Sequence, residues 1–228
     1  MFMEFLNPEF LAVLGSVILI NIVLSGDNAV VIALASRNLP LEQQKKAIFW
    51  GSFGAIAMRV ILTLVAVTLL KIPFIQAIGG LLLIWIAVKL LVEEKDDGHC
   101  DIGADCLMSA VKTIIFADLV MSIDNVIAVA GATKGNIPLL VVSLLISIPL
   151  IMWGSNLIMR MMEKYPIIVT LGAALLGYTA GEMILADVFV AKLIHNDLLH
   201  MIIPIITTLG VIVAGRVFKS RQRDEALP

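Results

Sequence analysis

Two four-residue motifs carry the chemistry of this chain: Ser25-Gly26-Asp27-Asn28 and, 97 positions later, Ser122-Ile123-Asp124-Asn125. Each lies inside a long apolar run. Between residues 21–35 and 118–132, six of fifteen aligned positions are identical. A carboxylate inside a lipid-spanning segment is expensive, and such residues usually serve an ion or substrate pathway. Its duplication predicts that two halves of the protein each bring one acid to a shared site. Asp27 and Asp124 supply carboxylates, Asn28 and Asn125 amides, and Ser25 and Ser122 hydroxyls. That set offers hard oxygen donors of the kind suited to Mg²⁺, Ca²⁺ and Mn²⁺. Two carboxylates would also neutralise one divalent cation, offsetting the desolvation that an isolated charge suffers. The plainer alternative is a hydrogen-bonded cluster that fastens the halves together.

Four further polar residues fall near the motifs or within apolar runs. Asn21 and Asp118 stand six residues before the two aspartates, and Asp118 is a candidate third carboxylate, proton carrier or access ligand. Arg59 is a candidate partner for Asp27 or Asp124 when no metal is bound; a structural ion pair is the competing reading. Glu182 is a candidate proton acceptor or outer guide for the ion. The segment from Glu93 to Cys106 is acidic, but its Cys-x5-Cys spacing matches no zinc template, which favours a solvated loop.

The elements that hold these residues follow from composition. Hydrophobic residues make up 60% of the 228 positions, charged residues 15%, and the mean hydropathy is +1.03. These values exclude a soluble domain. The net charge of −2, with no basic stripe before the tail, argues against a nucleic-acid partner. No nucleophile–base set or cofactor motif suggests an enzyme. The first apolar run lacks a basic leader and a small-residue cleavage site, so it is expected to stay as a helix.

The fold expected is an all-α polytopic membrane protein with seven transmembrane helices, at about 10–36, 46–70, 74–92, 107–132, 138–159, 166–187 and 199–217. Repeat one spans 10–92 and repeat two 107–187, joined by the loop 93–106. Helix seven (199–217) is an added span, and 218–228 a frayed polar tail. Twelve Lys and Arg fall on one side and three (Lys71, Lys134 and Lys192) on the other, with Arg59 between. The positive-inside bias puts the N-terminus outside and the C-terminus in the cytosol. Two successive units of three spans must enter the bilayer from opposite sides, which gives an inverted repeat. Gly26 and the polar residues beside each aspartate weaken helical hydrogen bonding, so local unwinding is expected at both motifs. Small residues from Gly172 to Gly181, and Gly79-Gly80, would permit close helix contacts.

Through the Ser25–Asn28 motif and the run Asp118–Asn125, the sequence resembles the TerC family of integral membrane proteins, from about residue 10 to 215. It looks most like the short bacterial branch, related to the LysE-type transporters with inverted three-helix repeats. The resemblance implies a multi-pass protein of the bacterial cell membrane that exports Mn²⁺ from the cytosol. The family's acidic positions fall on Asp27 and Asp124, with Asn28 and Asn125 alongside. Alternating access is the expected mechanism, with protons as counter-ions and Mn²⁺ as cargo rather than cofactor. Two other readings are a Ca²⁺ or Mg²⁺ transporter with the same site, and a non-transporting scaffold that assists secretion or metalation of partner proteins.

Overall fold

A computed structural model describes residues 14–20, 24–69, 72–92, 104–132, 137–194 and 197–225, leaving aside the side chains of 66–69, 104, 124, 126–132, 137, 139–140, 197 and 222–225. All regular structure among the described residues is helical. Residues 14–20 form α1. It is followed by α2 (Gly26–Ser36), α3 (Leu41–Leu69), α4 (Ile75–Val92), α5 (Ala104–Ala132), α6 (Ile137–Lys164), α7 (Ile167–Ala186), α8 (Val188–Leu193) and α9 (Asp197–Glu225). Six of them, α3 to α7 and α9, are long and apolar enough to cross a membrane. The first expected span is represented by α1 and the eleven-residue α2.

These helices form because a chain without water must satisfy its backbone within each segment. Large apolar side chains also cover the outside: Trp50, Trp85, Trp153 and Leu171 are all more than half exposed. That inversion of the soluble pattern suits a lipid solvent. The interior is lined by small and aliphatic residues, with Leu83, Ala87, Ala117, Ala173, Leu176 and Ala180 almost fully buried at its centre.

Packing interlocks the two halves. Helix α3 packs on α5, α6 contacts α2, and α4 packs on α7; α2 meets α5, and α3 meets α6. Additional contacts join α4 to α5 and α2 to α7. Exchanging α2 with α5, α3 with α6 and α4 with α7 maps this set of pairings onto itself. Helix α9 packs outside that pattern, against α7 and α4. Close approach depends on glycine: a Cβ at Gly80 would lie 2.6 Å from the Ala180 carbonyl oxygen, and one at Gly51 2.7 Å from Ile114 Cδ1.

Two connections differ from the sequence expectation. The tail is helical as far as Glu225 rather than frayed from 218. Lys219, Arg221, Gln222 and Arg223 are good helix formers, so α9 continues beyond its apolar stretch. A short helix, α8, also occupies the segment expected to link spans six and seven. Most of the acidic loop, residues 93–103, lies outside the described residues, but Ala104 already belongs to α5.

Candidate functional site

The first motif interrupts its helix. Ser25 has φ −106° and ψ 6°, a turn conformation, and α2 starts at Gly26. In an unbroken helix the Asn28 amide would face the Leu24 carbonyl. Here the Asn28 N–H donates to Asp27 Oδ1 (2.8 Å), and the Leu24 carbonyl accepts from Asn125 Nδ2 (3.3 Å). Helical bonding resumes at once, with the Ala29 N–H donating to the Ser25 carbonyl at 3.1 Å. The second motif behaves differently: α5 runs unbroken from Ala104 to Ala132. The expected unwinding is therefore found only in the first motif. Ile123 stands where the first motif has Gly26, and a β-branched residue gives the backbone less freedom to leave the helix than glycine does.

Arg59, two per cent exposed near the middle of α3, ties the motifs together. Its Nε donates to Ser122 Oγ (3.0 Å), and one terminal nitrogen donates to Ser25 Oγ (3.1 Å). The other forms a buried ion pair with Asp118. Ser122 Oγ in turn donates to the second oxygen of Asp118 at 3.1 Å. The guanidinium thus uses its planar fork to bind one hydroxyl from each motif and a carboxylate. Among the described side chains its ion-pair partner is Asp118 rather than Asp27; Asp124, the other partner expected from the sequence, has its side chain outside the described set.

Asn28 is the unsatisfied member of the group. It is three per cent exposed, and neither Oδ1 nor Nδ2 has a hydrogen-bond partner among the described residues. A buried amide in that state forfeits a substantial desolvation free energy unless something else binds it. With the half-buried Asp27 next to it, the start of α2 presents one carboxylate and one uncommitted amide.

The remaining sequence candidates divide as follows. Ser25, Ser122, Asp118, Arg59 and Asn125 join the cluster that links the two motifs. Asp124 lies on α5 between Ile123 and Asn125, and its side chain is outside the described set. Asn21 also lies outside the described residues. Glu182 sits exposed on α7 and does not join the Arg59 cluster. No group of three or more His, Cys, Asp or Glu side chains suited to a metal occurs among the described residues.

Asp187, which the sequence reading overlooked, is a buried carboxylate with four backbone donors. Its Oδ2 accepts from the Gln76 and Ala77 N–H groups at the start of α4 (3.2 and 3.3 Å). Its Oδ1 accepts from Phe189 and Val190 at the start of α8 (2.9 and 3.4 Å). An aspartate immediately after an apolar span and before a new helical turn is an N-cap signal. The bond to α4 joins residues 111 positions apart, and no local pattern encodes it.

A bundle of six candidate spans, lipid-compatible on its exterior and ionic within, defines a polytopic α-helical membrane protein. The chain belongs to the TerC family of integral membrane proteins, whose pattern it matches over residues 6–223. It is 44% identical over 222 residues to the uncharacterized membrane protein YjbE of Bacillus subtilis, covering 96% of this chain and all of that one. Similarity extends to the inner membrane protein YgdQ of Escherichia coli, at 27% identity over 82% of this chain and 86% of its relative. YceF of B. subtilis, another uncharacterized membrane protein, is 26% identical over 78% of this chain and 72% of its own length. No solved structure matches the chain.

Proposed function

We propose that the protein is a divalent-cation transporter that exports Mn²⁺ from the cytosol by alternating access. The observation that carries this reading is the meeting of the two motifs inside the bundle. Ser25 and Ser122 share Arg59, Asn125 reaches the Leu24 carbonyl, and the Asn28 amide is left with uncommitted polar atoms beside Asp27. Asp27 and Asn28 are the first ligands in this proposal, with Asp124 and Asn125 completing the set from the other repeat. Arg59 is the resident counter-charge, neutralising Asp118 so that the empty site is tolerable inside the bilayer.

Seven spans in an inverted three-plus-three repeat form part of the same proposal. The exchange pattern of helix contacts and the duplicated motif support it, with α1 and α2 together as span one and α9 as the added seventh. The excess of Lys and Arg at one end supports a cytosolic C-terminus. Proton counter-transport follows if a carboxylate alternates between H⁺ and metal, since the two compete for the same oxygens.

Mn²⁺ flux into inside-out proteoliposomes containing the purified chain tests the reading. Asp27→Asn is expected to abolish flux while leaving the melting temperature close to wild type. Undiminished flux in that variant would remove Asp27 from the ligand set. Competition by Mg²⁺ and Ca²⁺ in the same vesicles separates the ions that oxygen donors alone do not discriminate.

A further inference from the structure

Away from the Asp27 cluster, a cavity of about 630 Å³ opens where several spans end. Three cations border it: Arg37 just after α2, and Arg216 and Lys219 on α9. Among the described residues, Glu163 is the one acidic residue in its wall. The Arg37 guanidinium is oriented by a hydrogen bond to the Leu90 carbonyl (3.1 Å). The first turn of the twenty-residue α7 also borders the space through Ile167, Val169 and Thr170. That end of a helix carries a partial positive charge. Leu91 and Met162 provide apolar wall beside the cations.

The place of the cavity in the bundle selects its ligand. The span ending at Val92, the one ending at Lys164 and the one beginning at Ile167 all terminate beside it. At the intervening turn, Lys164 Nζ lies 5.3 Å from the centroid of the exposed Tyr165 ring, a pairing of cation and aromatic typical of the headgroup level. Arg37 follows Asp27 by ten residues along α2, about 15 Å at the helical rise. The cavity is therefore separate from the acidic site.

We propose that this cavity seats the phosphate of an anionic membrane lipid, with Arg216 and Lys219 holding the headgroup and the apolar wall receiving the adjoining glycerol and acyl segment. A soluble phosphate shares the anionic chemistry but has no use for the apolar wall. The full chain in nanodiscs of phosphatidylcholine, with or without phosphatidylglycerol, distinguishes the two. Native mass spectrometry is expected to show retained phosphatidylglycerol in preference to phosphatidylcholine. Retention should weaken about five-fold for each cation removed in Arg216→Gln and Lys219→Gln. Melting of these variants in phosphatidylcholine alone controls for folding. In the wild-type chain, which carries no substitution, the same preference should fall as salt rises. Equal retention of both lipids by the wild type, or a preference surviving in the double variant, would overturn the site. Inorganic phosphate that stabilises the chain as well as phosphatidylglycerol does would overturn the lipid as its occupant.

Discussion

Arg59 is where the cost of an ionic interior is concentrated. Its guanidinium satisfies a carboxylate and two hydroxyls that would otherwise be stranded among apolar helices. Removing one member of a buried pair is worse than removing both, because the survivor keeps its charge without compensation. Arg59→Met should therefore destabilise the protein by about 3–5 kcal/mol, whereas Arg59→Met combined with Asp118→Leu should recover most of that loss. Denaturant titration of the purified variants reads both values, and an additive double variant would contradict the pairing. Asn28 should show the opposite balance of stability and function. Its side-chain amide has no partner among the described residues, so Asn28→Leu is expected to keep or slightly raise the melting temperature. If Mn²⁺ is the cargo proposed above, it should raise the melting temperature of the wild type and not that of this variant, which a melting series with and without the ion measures.

At the scale of helices, one interruption and one cap shape the region around the motifs and its supports. The turn at Ser25 frees the Leu24 carbonyl for Asn125, so a break at one motif is used by an amide of the other. The continuous α5 supplies that amide from a rigid rod. Asp187 holds the starts of α4 and α8 with a single side chain, fixing the end of α7 against the start of α4. Losing a helix cap costs about 1 kcal/mol, and this residue caps two, so Asp187→Ala should destabilise by about 2 kcal/mol. Asp187→Asn, which retains one oxygen acceptor, should cost less. Thermal unfolding in detergent ranks the pair, and equal losses would show that hydrogen bonding at Asp187 is not what matters.

For the whole molecule, the decisive property is that each half is incomplete without the other. Helix α3 packs on α5 and α6 on α2, so neither set of three helices buries its own faces. The unequal placement of Lys and Arg then predicts how the assembled bundle sits in the bilayer. Single cysteines introduced as Ser220→Cys and Lys192→Cys, with Cys100 and Cys106 replaced by Ser, make this measurable. In intact cells an impermeant thiol reagent should label position 192 and leave 220 unmodified until the membrane is opened. Labelling in the reverse order would invert the proposed direction of transport as well as the topology.

Sequence alone was sufficient for the membrane class, the approximate limits of the six long apolar helices, and the residues worth examining. Hydropathy over about 20 residues is a local property, and an acid in such a run is conspicuous wherever it falls. The paired motifs were visible for the same reason. Only the tertiary structure decided that Arg59 belongs to Asp118 and the two serines, that Asn28 is left unsatisfied, and that Asp187 reaches α4. Each depends on which helices become neighbours, and hydrogen bonds spanning 34 to 111 positions leave no periodic trace along the chain.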